Sequence, residues 1–189
     1  MIFGCKGWND KTGYFRQDNN FIEAFLKSYG VEQFYATCFP TSVCRAVSAV
    51  RGEDNFKIKS AGGWSMQPED YLTGFMNDPE NRPAFDKIRK DPDCLVMPEN
   101  QIPQYYPYAL WECFKEKCTF EWGGSMEVLN LLKNEHAVAV LQKRGHAVCM
   151  VAFDESANEF IYDDPLYGFN LRVDLSMYDM EYESAMVIV

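Results

Sequence analysis

Histidine is scarce in this chain: of 189 residues only His136 and His146 carry an imidazole. Any chemistry that needs a proton shuttle near neutral pH therefore has two candidates. Basic residues are also few. Eighteen Lys plus Arg against twenty-eight Asp plus Glu leave a net charge of -10, which repels phosphate backbones and anionic membrane surfaces, so nucleic acid is not expected as a partner. No segment approaches the ~20 apolar residues of a membrane span, and Met1 to Tyr14 lacks the apolar stretch of a secretory signal. The expectation is a protein without membrane insertion, made in the cytoplasm, with delivery by another route open. Nor is there a disulfide rhythm: Cys5, Cys38, Cys44, Cys94, Cys113, Cys118 and Cys149 are odd in number and scattered, which points to reduced thiols. Cys113 and Cys118 are too far apart for a CxxC pair and lack a nearby His, so no metal is expected. No phosphate-binding glycine loop is present, and nothing requires a cofactor.

What is present is the composition of a folded protein, with 47% apolar and 15% aromatic residues. At ~150 residues per domain the length suits one, so residues 1-189 are expected to form a single domain. Glu53 to Gln104, with six prolines and the pair Gly62 and Gly63, reads as an elaboration. The oligomeric state is not legible. Helical patterns dominate the first two thirds and strand patterns the last third, which predicts an α+β fold. Asn20 can cap a helix over Phe21 to Tyr29. A second helix starts at Cys38 behind Thr37 as N-cap, presents Phe39, Val43, Ala46, Val47 and Val50 as one stripe, and stops at Gly52. Shorter helices are expected over Pro68 to Met76, Pro83 to Lys90 and Tyr108 to Cys118, and one capped by Ser125 through Leu132. Strands are expected over His136 to Gln142, His146 to Phe153, Glu159 to Asp163 and Met186 to Val189. Both faces of Ala147 to Phe153 are apolar, so that strand should be central.

Chemistry concentrates on three residues. Cys38 stands at a helix N-terminus, where unpaired N–H groups and the positive end of the macrodipole favour a thiolate, the nucleophilic form. His146 opens a buried strand after the tight Lys143, Arg144, Gly145 connection and can face a cleft. Asp163 and Asp164 end the next strand, before Pro165, where either can fix the imidazole tautomer and stabilise its charged form. His136 follows Glu135 at a helix-to-strand junction and reads as structural or exposed. Tyr105, Tyr106, Tyr108, Trp111 and Phe114 can line a groove, although helical spacing favours core packing.

Thr37-Cys38-Phe39-Pro40-Thr41-Ser42, followed by Val43-Cys44-Arg45-Ala46-Val47, resembles the nucleophile helix of the papain-like cysteine peptidases of family thirty-nine, the double-glycine leader peptidases and their free-standing relatives. Gly145-His146-Ala147-Val148 is similar to their histidine strand, and Tyr162-Asp163-Asp164-Pro165 to their Asp-Pro motif. Tyr14-Phe15-Arg16-Gln17-Asp18-Asn19 resembles their aromatic-x-Gln-x-Asn segment. The resemblance implies a papain-like α+β fold, with an N-terminal helical part carrying the nucleophile helix packed on a C-terminal antiparallel sheet. It implies a cysteine peptidase acting on a peptide or protein, without metal or cofactor. Cys38 would be nucleophile, His146 base and then acid, Asp164 orienter with Asp163 as rival, and Gln17 oxyanion donor with Gln33 as rival. Phe39, where many relatives have glycine, would narrow the cleft or alter the substrate subsites. Two other readings stand beside this one: a catalytically silent binding, virion or toxin module, and another thiol acyl-transfer enzyme such as a deamidase, transglutaminase or peptidoglycan cross-bridge endopeptidase.

Overall fold

A computed structural model describes residues 1–11, 15, 16, 20, 37–52, 58, 59, 65–88 and 99–189. The expected helix over Phe21 to Tyr29, both glutamines Gln17 and Gln33, and Cys94 lie outside them. Helix α1 runs Cys38–Arg51. Its boundary at Gly52 follows from backbone freedom: Gly52 takes a φ of +92° and returns its N–H to Ser48 O at 2.9 Å. Thr37 precedes the helix but its side chain caps nothing. Instead, the hydroxyl of Thr41 closes on Thr37 O at 2.6 Å.

The remaining helices are α2 (Pro68–Asn77), α3 (Arg82–Ile88), α4 (Tyr106–Phe114), α5 (Ser125–Lys133) and α6 (Leu175–Glu181). Helix α4 ends four residues earlier than its pattern suggests, because Lys115 turns left-handed (φ +59°) and the chain leaves as strand β4 (Thr119–Trp122). Ser125 does not cap α5. Gly124 takes the cap position, with its N–H on Glu127 Oε2 at 2.9 Å, while the N–H and hydroxyl of Ser125 both donate to the carboxylate of Asp179 at 2.8 Å.

Strands β1 (Ile2–Gly4), β5 (Val138–Gln142), β6 (Ala147–Asp154), β7 (Glu159–Asp164), β8 (Gly168–Asp174) and β9 (Tyr182–Ile188) join β4 in one antiparallel sheet of order β4-β9-β5-β6-β7-β8. Strand β5 pairs with residues 147–150 of β6, and β1 takes over the same side of β6 at residues 152–154. A small hairpin of β2 (Ile58–Lys59) and β3 (Ser65–Met66) stands apart. Strand β6 is central and buried along both faces, as its unbroken apolar run requires. One face carries α1, with Phe39, Val43, Ala46 and Val47 set against Ala139, Ala147, Cys149 and Val151. The other face meets α5 through Val128, Leu129 and Leu132 over Val138, Val140, Val148 and Met150. Each fully buried large apolar side chain here contributes about 1.5–3 kcal/mol. The architecture is α+β, as the segregation of patterns predicts.

This packing aims two chain ends at one place. Helix α1 begins over the edge of the sheet where β6 also begins, so Cys38 and His146 come from different layers to the same spot.

Candidate active site

Cys38 is the first residue of α1 and 2% exposed. Its N–H belongs to the first helical turn, which has no intrahelical acceptor. His146 follows Gly145, whose φ of +81° makes the tight turn and whose N–H returns to Gln142 O at 2.9 Å; a side chain at this position would be strained. From there His146 enters β6 with its side chain 17% exposed, half-sunk between the layers. Its Nε2 lies 2.8 Å from Asp164 Oδ1. Cys38 stands near enough to the ring to favour its charged form, and with Nε2 committed to Asp164, Nδ1 is the nitrogen left to meet sulfur.

Asp164 is nearly buried, and its Oδ1 accepts two further N–H bonds, from Leu166 at 2.8 Å and Tyr167 at 2.9 Å. Burial alone would raise its pKa; the hydrogen bond from His146 and these two amides hold it below the ordinary carboxylate range. The same balance favours charge on His146. Burial opposes the charge, but the hydrogen bond to Asp164, its negative charge and the nearby Cys38 outweigh it, raising the pKa from 6.5 to about 9. Tyr167 stands edge-on to the ring, 5.8 Å between centroids.

The sign of the linkage follows. Imidazolium stabilisation is fully present below pH 6.5 and is lost as pH rises through about 9. With one other histidine in the chain, the ring proton signals can be assigned by substituting His136. An NMR titration is expected to give His146 a midpoint near pH 9; a midpoint near 6.5 would show that Asp164 does not hold the ring in its charged form.

Asp163, the rival orienter, turns the other way. Its Oδ2 takes Arg45 Nε at 2.6 Å and its Oδ1 takes the Asn170 N–H at 2.8 Å, so it does not face the imidazole. His136 has Nδ1 3.0 Å from Val189 O, at the β5–β9 junction. Phe39 does not narrow a cleft. It is fully buried and packs edge-on against Tyr106 at 4.9 Å, in the core beneath the helix. Of the aromatic run, Tyr105 and Tyr106 are buried, Tyr108 and Phe114 pack against the core, and Trp111 is exposed. Among the described residues no group of His, Cys, Asp and Glu is arranged to hold a metal, and no helix is long and apolar enough to cross a membrane.

Sequence reasoning missed two buried polar features beside α1. Arg45 is 2% exposed and, besides Asp163, donates to Ser48 Oγ, Gly7 O and Trp8 O at 3.0–3.3 Å. The second is the amide of Asn20, set between the hydroxyls of Thr37 (2.8 Å) and Thr41 (3.1 Å) and the carboxyl of Glu69 (3.0 Å). Burial pushes Glu69 up to about 8. The signal for Arg45 was its place within an otherwise apolar and small-residue helix; for Glu69 there was none, since an acid in the first turn of a helix usually faces solvent.

No curated protein matches the chain. Among solved structures it is similar to the N-terminal peptidase C39-like domain of the toxin secretion ATP-binding protein from Vibrio parahaemolyticus, at 12% identity and a TM-score of 0.36, with 62% of this chain and 93% of that one covered. The profile of the peptidase C39-like family matches residues 11–186, from before Gln17 to beyond the Asp164 turn. A helix-borne cysteine, a strand-borne histidine and a following aspartate thus stand on a chain that belongs to the peptidase C39-like family, a papain-like α+β domain of the cysteine peptidase kind.

Proposed function

We propose that this chain is a cysteine peptidase in which Cys38, His146 and Asp164 act as a triad within a single domain spanning residues 1–189. The observation that carries the reading is His146, held at one nitrogen by Asp164 at 2.8 Å, with Cys38 near enough to favour the charged ring. Cys38 Sγ attacks the carbonyl carbon of a peptide bond. The oxyanion is met by the Cys38 N–H and by the side-chain amide of Gln17, which is assigned on sequence alone, with Gln33 as the alternative. Imidazolium at His146 gives its proton to the departing amine as the C–N bond breaks, leaving a thioester. Water then attacks the thioester with His146 as base; the acid leaves, and the proton taken from water restores the starting pair. A peptide or protein is the substrate.

Limiting iodoacetamide at pH 6 tests this directly. Burial pushes Cys5 up to about 11 and both Cys113 and Cys118 up to about 12, and burial also raises Cys44 and Cys149. These thiols stay protonated and slow. Peptide mapping is expected to find Cys38 labelled at least about tenfold faster than any of them, with the advantage removed by His146→Ala. Slow, uniform labelling would point instead to a silent module that keeps the fold without an activated nucleophile.

A further inference from the structure

We propose that Glu69, acting through Asn20, is a positioning residue for the oxyanion site, holding the peptide bond into Cys38 so that its N–H points at the reacting carbonyl; this role rests on the peptidase reading. Glu69 is the second residue of α2 and 1% exposed, in the stretch that reads from sequence as an elaboration. Burying a carboxyl costs stability. Here Oε2 is sealed from solvent with no hydrogen-bond partner among the described residues. What the carboxyl does hold is Asn20, whose amide N–H meets Oε1 at 3.0 Å. With burial pushing it up to about 8, Glu69 is neutral at pH 7, and Oε1 accepts as the carbonyl oxygen of an acid.

Asn20 passes that hold to the start of α1. Its oxygen accepts from the Thr37 hydroxyl at 2.8 Å and lies 3.1 Å from the hydroxyl of Thr41. The side chain of Thr37 caps nothing because it is turned to Asn20. The carbonyl of Thr37 is gripped in turn by Thr41, through the hydroxyl at 2.6 Å and the N–H at 3.0 Å. A peptide unit is planar, so fixing Thr37 C=O fixes the direction of the Cys38 N–H on the same plane. That N–H is one of the two donors assigned to the oxyanion. The Asn20 amide also faces Gln67 Oε1 at 3.2 Å and Arg16 O at 3.1 Å, and Arg16 is bonded to Gln17, the other assigned donor. Glu69, Asn20, Thr37 and Thr41 are all buried and form a brace that ends on the peptide bond of the nucleophile. Donors aimed before the reaction stabilise the oxyanion without reorganising when it forms.

The test compares two small reagents at Cys38, each corrected for the rate seen in Cys38→Ala. With p-nitrophenyl acetate, Sγ adds to the ester carbonyl, an oxyanion forms and collapses, p-nitrophenolate leaves and an acetyl thioester remains. With iodoacetamide, Sγ displaces iodide from a saturated carbon and no oxyanion forms. Glu69→Leu is expected to slow the first-turnover release of p-nitrophenolate about tenfold or more while alkylation of Cys38 keeps its native rate. Thr41→Val, which takes the hydroxyl from Thr37 O, should do the same, and it carries the test if Glu69→Leu does not fold. Glu69→Gln keeps the acceptor oxygen without a charge and should restore the ester rate. Equal slowing of both reagents would make Glu69 a general structural support, and an unchanged ester rate in Glu69→Leu and Thr41→Val would leave the brace without a part in the reaction; either result overturns the proposal. Failure of iodoacetamide to single out Cys38 in the native chain would instead overturn the peptidase reading beneath it.

Discussion

Cys38→Ala is expected to reduce amide hydrolysis by about 10⁶, since loss of the nucleophile in a triad removes the covalent route altogether. The fold should survive. Alanine keeps the helix propensity of the first turn, and the substitution trades a small buried thiol for a methyl group. His146→Ala should cost nearly as much as Cys38→Ala, and the double variant no more than either alone, because residues that act as one unit do not add. Asp164→Ala should cost less, on the order of 10⁴, with a specific secondary effect: His146 loses the hydrogen bond and the charge that raise its pKa to about 9. The alkaline limb of the pH–rate profile should then move to lower pH. Steady-state kinetics on any peptide cleaved by the native chain checks these outcomes. Retained hydrolysis in Cys38→Ala would exclude Cys38 as nucleophile.

Arg45→Met is expected to destabilise the protein by about 3–5 kcal/mol, through the charge it leaves behind. Arg45 and Asp163 are 2% and 1% exposed and 2.6 Å apart. Without the guanidinium, Asp163 keeps one N–H from Asn170 and has no cation to offset its burial. The backbone carbonyls of Gly7 and Trp8 also lose their donor. At roughly 2–4 °C per kcal/mol for a chain of this length, the melting temperature should fall by about 10 °C. The double variant Arg45→Met with Asp163→Leu should recover much of the loss, since it removes both charges at once. Thermal unfolding followed by circular dichroism separates the cases; equal stability of Arg45→Met and the native chain would mean that the pair is not a structural clamp.

Local pattern made the elements that carry the candidate site legible. The stripe through Phe39, Val43 and Val47 and the stop at Gly52 define α1, and the doubly apolar run of β6 places that strand at the centre. The Asp-Pro turn narrowed the orienter to two carboxylates, but choosing between them required a long-range partner: Asp163 is claimed by Arg45, which leaves Asp164 to the imidazole. No residue near Asp163 in the sequence announces Arg45. Strands β1, β4 and β8 escaped for a related reason. Each is short or mixed in polarity, and each is fixed by the neighbour it pairs with more than by its own propensity. Phe39 belongs to that stripe, and its burial against Tyr106 follows from it.

The Arg45–Asp163 bond joins residues 118 positions apart, which bears on the order in which the protein becomes competent. A ribosome releases α1 long before β6 and β7 exist, so for most of synthesis Cys38 is an ordinary cysteine in an unanchored helix. Both the imidazole and the carboxylate arrive far downstream of α1, together with Asp163, the half of the clamp that sets Arg45 and its helix against the sheet. On the proposed peptidase reading, nucleophilicity at Cys38 is thus acquired late and all at once, and a chain that has not reached β7 carries no armed thiol with which to attack itself or its neighbours.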